Sequence, residues 1–146
     1  MRISSGIAAG LLALCAATAA HGQQMVTVGD VLDRGGKKLS KEEVRQLVSG
    51  ATIAGVQGGN SPNISFQSNY SPSGSVNGDV WNKGTWITKM SGNWSVNDSA
   101  QLCVDLVNSQ GTKVVGCQSY YTQGNTYYGA QGDARTATVN ERKVTR

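Results

Sequence analysis

"LCVDLVNSQGTKVVGC", residues 102–117, decides the fold, because it reads as two strands about a turn with a cysteine on each. Leu102, Val104 and Leu106 alternate with Cys103, Asp105 and Val107, the period-two pattern of a half-buried strand. Asn108-Ser109-Gln110-Gly111 has turn composition, and Lys113 to Tyr121 resumes a run rich in Val and Tyr. Antiparallel pairing about Gln110 sets Cys103 opposite Cys117, Asp105 opposite Val115 and Val107 opposite Lys113. Opposed residues have Cα separations of about 4.5 or 5.5 Å, which a disulfide accepts. The other face carries Leu102, Val104, Leu106, Val114 and Tyr120.

The compartment is read from the amino end, MRISSGIAAGLLALCAATAAHGQQ. Arg2 precedes an apolar run from Ile7 to Ala17, and small residues end in Ala20-His21-Gly22, the layout of a secretory signal. Cleavage is expected after Gly22, or alternatively near Ala20. The apolar run falls short of the roughly 20 residues that span a bilayer. Cys15 follows Leu14, where lipoprotein processing needs a small residue, so Cys15 is a passive part of the removed peptide. Loss of 1–22 also takes the only histidine, His21, and leaves twelve Lys and Arg against nine Asp and Glu. In an oxidising compartment the remaining cysteine pair is read as a disulfide, whereas a redox-active dithiol usually takes a close C-x-x-C spacing. A periplasmic or secreted bacterial protein is expected, with no transmembrane segment. The basic residues are spread along the chain, which speaks against a nucleic-acid binder.

Residues 23–50 read as an N-terminal helical segment. Thr27 with Asp30, and Ser40 with Glu43, each have the spacing of a capping box. Leu39 and Val44 can form a hydrophobic staple, and Val44, Leu47 and Val48 share a face that ends at Gly50. The first short helix ends at Gly35-Gly36. From Ala51 the composition shifts to Gly, Ser, Asn, Thr and aromatics, and residues 51–134 read as the β domain. Strands are expected near 52–56, 64–70, 74–80, 84–90, 93–96, 101–107, 113–121 and 126–130, with a ninth at 136–139. Such spacing predicts a mainly β fold, an antiparallel meander of about eight strands in a small barrel or curled sheet. The helices would plug one end or cover one face. Residues 135–146 read as a last edge strand or a basic tail, with a weak contact to anionic envelope surface as the sharper alternative.

Three stretches carry a family resemblance: "TVGDVLDRGGKKLSKEEVRQLVSGATIAG" (27–55), "GNWSVNDSAQLCV" (92–104) and "CQSYYTQGNTYYG" (117–129). In order and spacing the chain resembles the small exported bacterial proteins catalogued as domain of unknown function 995. The resemblance rests on the helix from Leu39 to Gly50, Trp94, Cys103, Cys117 and Tyr127-Tyr128. It departs near the carboxy end, where an aromatic closing strand is expected and Thr-Ala-Thr-Val stands. It implies a small β-rich, lipocalin-like periplasmic or secreted protein with no assigned reaction, and supplies no catalytic residues.

With His21 removed and the cysteines bridged, no Ser/His triad, Cys/His dyad or His/Cys zinc site can form, so no metal or cofactor is expected. Glu42 and Glu43 adjoin at a helix start, where capping explains them. Asp79, Asp98, Asp105 and Asp133 fall in turns or on outward strand positions. Most aromatics should be core, and Trp86 and Met90 are placed on one strand face. Neighbours on a strand point opposite ways, so one tyrosine of each pair, Tyr120-Tyr121 and Tyr127-Tyr128, must face outward or into a barrel mouth. These four mark a possible binding face. The expected function is a non-enzymatic binding or structural protein of the envelope, its partner an unknown envelope protein or a small ligand. The alternative is an inhibitor of a hydrolase, a protease or lysozyme. A third reading is an enzyme that works with acids alone.

Overall fold

The computed structural model describes residues 26–58 and 61–146. The expected signal segment, its cleavage site and Cys15 lie outside the described residues. Along the chain come helix α1 (Val28–Asp33), strand β1 (Lys37–Lys38), helix α2 (Lys41–Val48), and strands β2 (Thr52–Gly58), β3 (Ser61–Tyr70) and β4 (Ser75–Asn82). There follow β5 (Thr85–Val96), β6 (Gln101–Asn108), β7 (Lys113–Gln123), β8 (Thr126–Ala130) and β9 (Val139–Thr145). The strands pair antiparallel in the order β7-β6-β5-β4-β3-β2-β9-β8, and β8 pairs back onto β7. The result is a closed eight-stranded barrel, with β1 as one extra strand on Tyr121 and Thr122 of β7. A meander of this length closes because closure removes the unpaired edges that a curled sheet would expose.

Both helices begin as the sequence dictates. The Thr27 hydroxyl accepts from the Asp30 amide while the Asp30 carboxylate accepts from Thr27 N–H, and Ser40 and Glu43 repeat the arrangement. Gly50, at φ +75, takes the left-handed conformation past the end of α2 that a side chain would resist. The helices then divide the work. Leu39, Val44, Leu47 and Val48 pack with Ile53, Tyr70, Val76, Val96, Leu102 and Tyr120, so α2 plugs one end of the barrel. Val28 and Val31 of α1 pack with Tyr121, Ala130 and Val139 in a second small core on the outer face of β7, β8 and β9.

The register of β6 and β7 is the one the opening stretch dictates: Cys103 faces Cys117, Asp105 faces Val115 and Val107 faces Lys113. The Cys103 and Cys117 sulfurs are bonded, with the Cα atoms 4.0 Å apart.

Three expectations are corrected. The strands expected at 84–90 and 93–96 are one strand, β5, with no turn at Ser91-Gly92. Gly92 lies inside it because a Cβ there would stand 1.9 Å from the Asp105 carbonyl oxygen; the residue admits a close strand approach. Trp86 and Met90 do not share a face. The register passes from Val80 opposite Thr88 to Trp81 opposite Trp86, so a bulge at Ile87 turns Trp86 outward, 57% exposed, while Met90 stays buried. The ninth strand is not 136–139, and residues 135–146 are neither an edge strand nor a tail. β9 lies between β2 and β8 and pairs with both.

Two outcomes check this packing. Cys103→Ser together with Cys117→Ser removes a staple over a separation of 14 residues. Urea denaturation should then show about 3 kcal/mol less stability, the chain-entropy value for such a loop. Gly92→Ala should destabilise by about 1–3 kcal/mol through overpacking, read as a lower thermal midpoint.

Candidate functional site

Strand alternation settles what the barrel encloses. From the paired registers, the inward side chains include Ile53, Phe66, Ser68, Tyr70, Val76, Met90, Trp94, Leu102, Val104, Leu106, Val114, Gln118, Tyr120, Tyr127, Asn140 and Arg142. Among the described strand residues, one inward side chain is charged, and it is Arg142. It is 3% exposed.

Burying a guanidinium is costly unless its donors are bonded. Nη1 donates to the Val56 carbonyl at 2.8 Å and to the Glu141 carbonyl at 3.2 Å. Nη2 donates to Gln118 Oε1 at 3.3 Å. Cζ lies 5.1 Å from the centroid of the Phe66 ring, within reach of the negative ring face. The Tyr120 hydroxyl also stands against it. Among the described residues Arg142 Nε is buried with no hydrogen-bond partner, and no carboxylate pairs with the guanidinium. Burial lowers its pKa from the ordinary value, opposed by the facing tyrosines, yet arginine stays protonated. Desolvation raises the hydroxyl pKa of Tyr70 and Tyr120 beside it.

Glycine makes the room. A Cβ at Gly55, which pairs with Arg142, would come 2.7 Å from Nη1, and a Cβ at Gly129 would come 2.9 Å from Nε. In the sequence Arg142 belongs to a basic end with Arg135, Lys143 and Arg146 against Glu141 alone, and the flanking Val139 and Val144, five positions apart, do not share a strand face. In the barrel both are packed, Val139 in the outer core and Val144 against the inner one. Anchoring the alternation on Val144 places Arg142 inside, against the general rarity of buried arginine.

The two ends of the barrel differ. At the α2 end, Tyr70 and Trp94 meet edge to face with centroids 6.1 Å apart, and Trp94 Nε1 donates to the Ser71 carbonyl at 2.9 Å. Toward the opposite end the inner face of β6 and β7 is only partly covered by the described residues. Val104 and Leu106 are only half-buried, Val114 is 44% exposed, and nothing lies within 4 Å of where a Gly116 Cβ would be. β7 meets β8 only from Ser119 onward.

The four tyrosines do alternate, but they do not make an exposed face. Tyr120 and Tyr121 are each 2% exposed, Tyr120 inside the barrel and Tyr121 under α1. Tyr127 (inward) and Tyr128 (outward) are half-buried. The Tyr121 hydroxyl donates to Asp133 Oδ1 at 2.9 Å, and Lys38 Nζ donates to Asp133 Oδ2 at 2.7 Å. That cluster ties the 131–138 loop to β1 and β7, with the Lys38 ammonium lowering the Asp133 pKa.

The acids do not converge. Asp33 pairs with Arg135, Asp98 with Lys41 and Glu43 with Lys37, while Asp79 accepts from Trp86 Nε1 at 3.0 Å. Asp105 and Glu141 are exposed. Among the described residues no group of three or more His, Cys, Asp or Glu could hold a metal ion. Among the described residues, two shallow outer depressions stand out. One, ≈ 470 Å³, lies between α2 and the Pro72 turn, where Glu42 and Arg45 pair with each other; the other, ≈ 510 Å³, lies over β2, β3 and β9 beside Trp81. No family model matches the chain, and no match was found among curated proteins or solved structures.

Glu43 supplies the testable electrostatics. The Lys37 ammonium and the Ser40 backbone amide hold its pKa at about 2, below the ordinary 4.5. A carboxylate so depressed stabilises the fold above pH 4.5, and that contribution fades as pH falls toward about 2. Chemical denaturation across this window should show a shallower loss for Glu43→Gln than for the parent.

Proposed function

We propose that the chain is an exported, non-catalytic binding protein of the bacterial cell envelope, of the kind its resemblance to domain of unknown function 995 implies, and that it binds within the barrel. The observation that carries this reading is the inner face of β6 and β7, where Val104 and Leu106 are only half-buried, Val114 is 44% exposed and, among the described residues, the space over Gly116 is open. An apolar concave surface with a few polar groups at its base is the usual form of a small-ligand site. The scatter of the acids, several of them ion-paired, supports a non-catalytic role. Export is supported by the bonded cysteine pair.

The inhibitor reading draws on a different feature. The tight turn at Lys83-Gly84 presents Trp86 and Ile87, 57% and 44% exposed, on a rigid hairpin. A protease and lysozyme panel tests it, inhibition lost in Trp86→Ala being its signature.

Native mass spectrometry of protein recovered from the periplasmic or culture fraction tests the leading reading. The expected mass is that of a chain starting at Gln23, with no free thiol and a retained small molecule. Free thiols, an uncut amino terminus or capture of envelope proteins with an empty barrel would oppose it.

A further inference from the structure

We propose that Arg142 anchors the carboxylate of a long-chain amphiphile, whose aliphatic tail lies along the partly covered inner face of β6 and β7. The inference rests on the reading of the barrel as a binding site and names the ligand class that site takes.

The charge argument comes first. Among the described strand residues Arg142 is the inward charge of the barrel, 3% exposed, and its Nε–H is buried without a partner among them. The Nη groups are already held by the Val56 and Glu141 carbonyls and by Gln118 Oε1, so the guanidinium is fixed in place before any ligand arrives. Its neighbours are uncharged, Gln118 accepting through Oε1 and the Tyr120 hydroxyl standing against the guanidinium, and among the described residues no carboxylate pairs with it. Such a set attracts an anion and repels a cation. It carries one unit of charge, which a carboxylate neutralises; a phosphate monoester would bring nearly two into a poorly solvated site.

The shape argument is independent. Gln118, Gly116 and Val114 follow one another on the inner face of β7, with Val104 and Leu106 beside them on β6. From Gln118 to Val114 the strand rises about 13 Å, a run of apolar wall suited to an extended alkyl chain. The space over Gly116 is open, and β7 has no β8 partner below Ser119, which leaves a way in from the side. The polar anchor thus lies at the packed end and the apolar wall at the partly covered end, the order a carboxylate with a tail requires.

The test uses the mature, oxidised protein in calorimetric titrations with laurate, lauryl alcohol, dodecyl phosphate and dodecyltrimethylammonium. Laurate should bind, and the alcohol and the ammonium should bind about tenfold or more weakly, the loss expected of a buried charge-assisted hydrogen bond. Arg142→Gln should bring laurate down to the level of the alcohol. Gly116→Phe, at a position with free space and ordinary backbone, should keep the parent's thermal midpoint and abolish binding of laurate. Should Arg142→Gln not fold, Gly116→Phe and the headgroup series still decide. Equal affinity for laurate and the alcohol overturns the anchor and leaves a binding barrel standing. Dodecyl phosphate binding tighter than laurate overturns the carboxylate assignment. Full laurate binding by Gly116→Phe overturns the location. No binding of any amphiphile overturns the proposal, while a small molecule retained from the cell would still uphold the broader reading.

Discussion

A meander of seven antiparallel strands ends with two unpaired edges, β2 on one side and β8 on the other, and β9 satisfies both. One row of this closure runs Gly55, Arg142, Tyr127. The inward position of that row on β9 is an arginine, so the strand that seals the backbone ladder also carries a charge into the barrel. The guanidinium fits because its neighbours lack side chains where it lies, at Gly55 and Gly129. Closure and charge burial are therefore one constraint. Its hydrogen bond to the Val56 carbonyl makes the cation a clasp across the β2–β9 seam, while the bond to the Glu141 carbonyl holds it to its own strand.

The strands that pair locally were legible because their signals are local. Alternation and turn chemistry sufficed for β6 and β7, down to the residue opposite each cysteine, and the hydroxyl-to-acid spacing sufficed for both helix caps. Where a residue is read for its intrinsic preference but serves a neighbour, the reading failed. Gly92 looks like a turn and is a strand residue, because β6 comes too close for a side chain. Trp86 looks inward from Met90 and points outward, because one extra residue at Ile87 reverses the phase. The closing strand was hidden because its two valines belong to different cores, and Arg142 with it.

The same two-core arrangement explains the tyrosines. A barrel wall ordinarily has an apolar inner face and a wet outer one. Here α1 covers part of the outer face, so both members of the Tyr120-Tyr121 pair are buried. The polar tip of Tyr121 reaches Asp133, which in turn holds Lys38. An aromatic pair that looked like a contact surface in the sequence is the seam between the barrel and its helical cover. Alternation fixes which side of a strand a residue takes, but whether that side meets water depends on what the rest of the chain lays over it.

The position of the disulfide follows from what the barrel does not contain. Near the α2 end the sheet is held by a filled interior, with Tyr70, Trp94, Leu102 and Tyr120 packed under α2. Farther along β6 and β7 the interior offers little, since Val114 is 44% exposed and Gly116 faces open space. There β7 also lacks β8 on its other edge, and its remaining neighbour is β6. Cys103 and Cys117 join those two strands on the outer face, next to the row of Val104 and Gly116. A covalent link needs no filled core to hold a ribbon in register. The staple stands where packing thins, which holds the two strands in register beside an inner surface left open at Gly116.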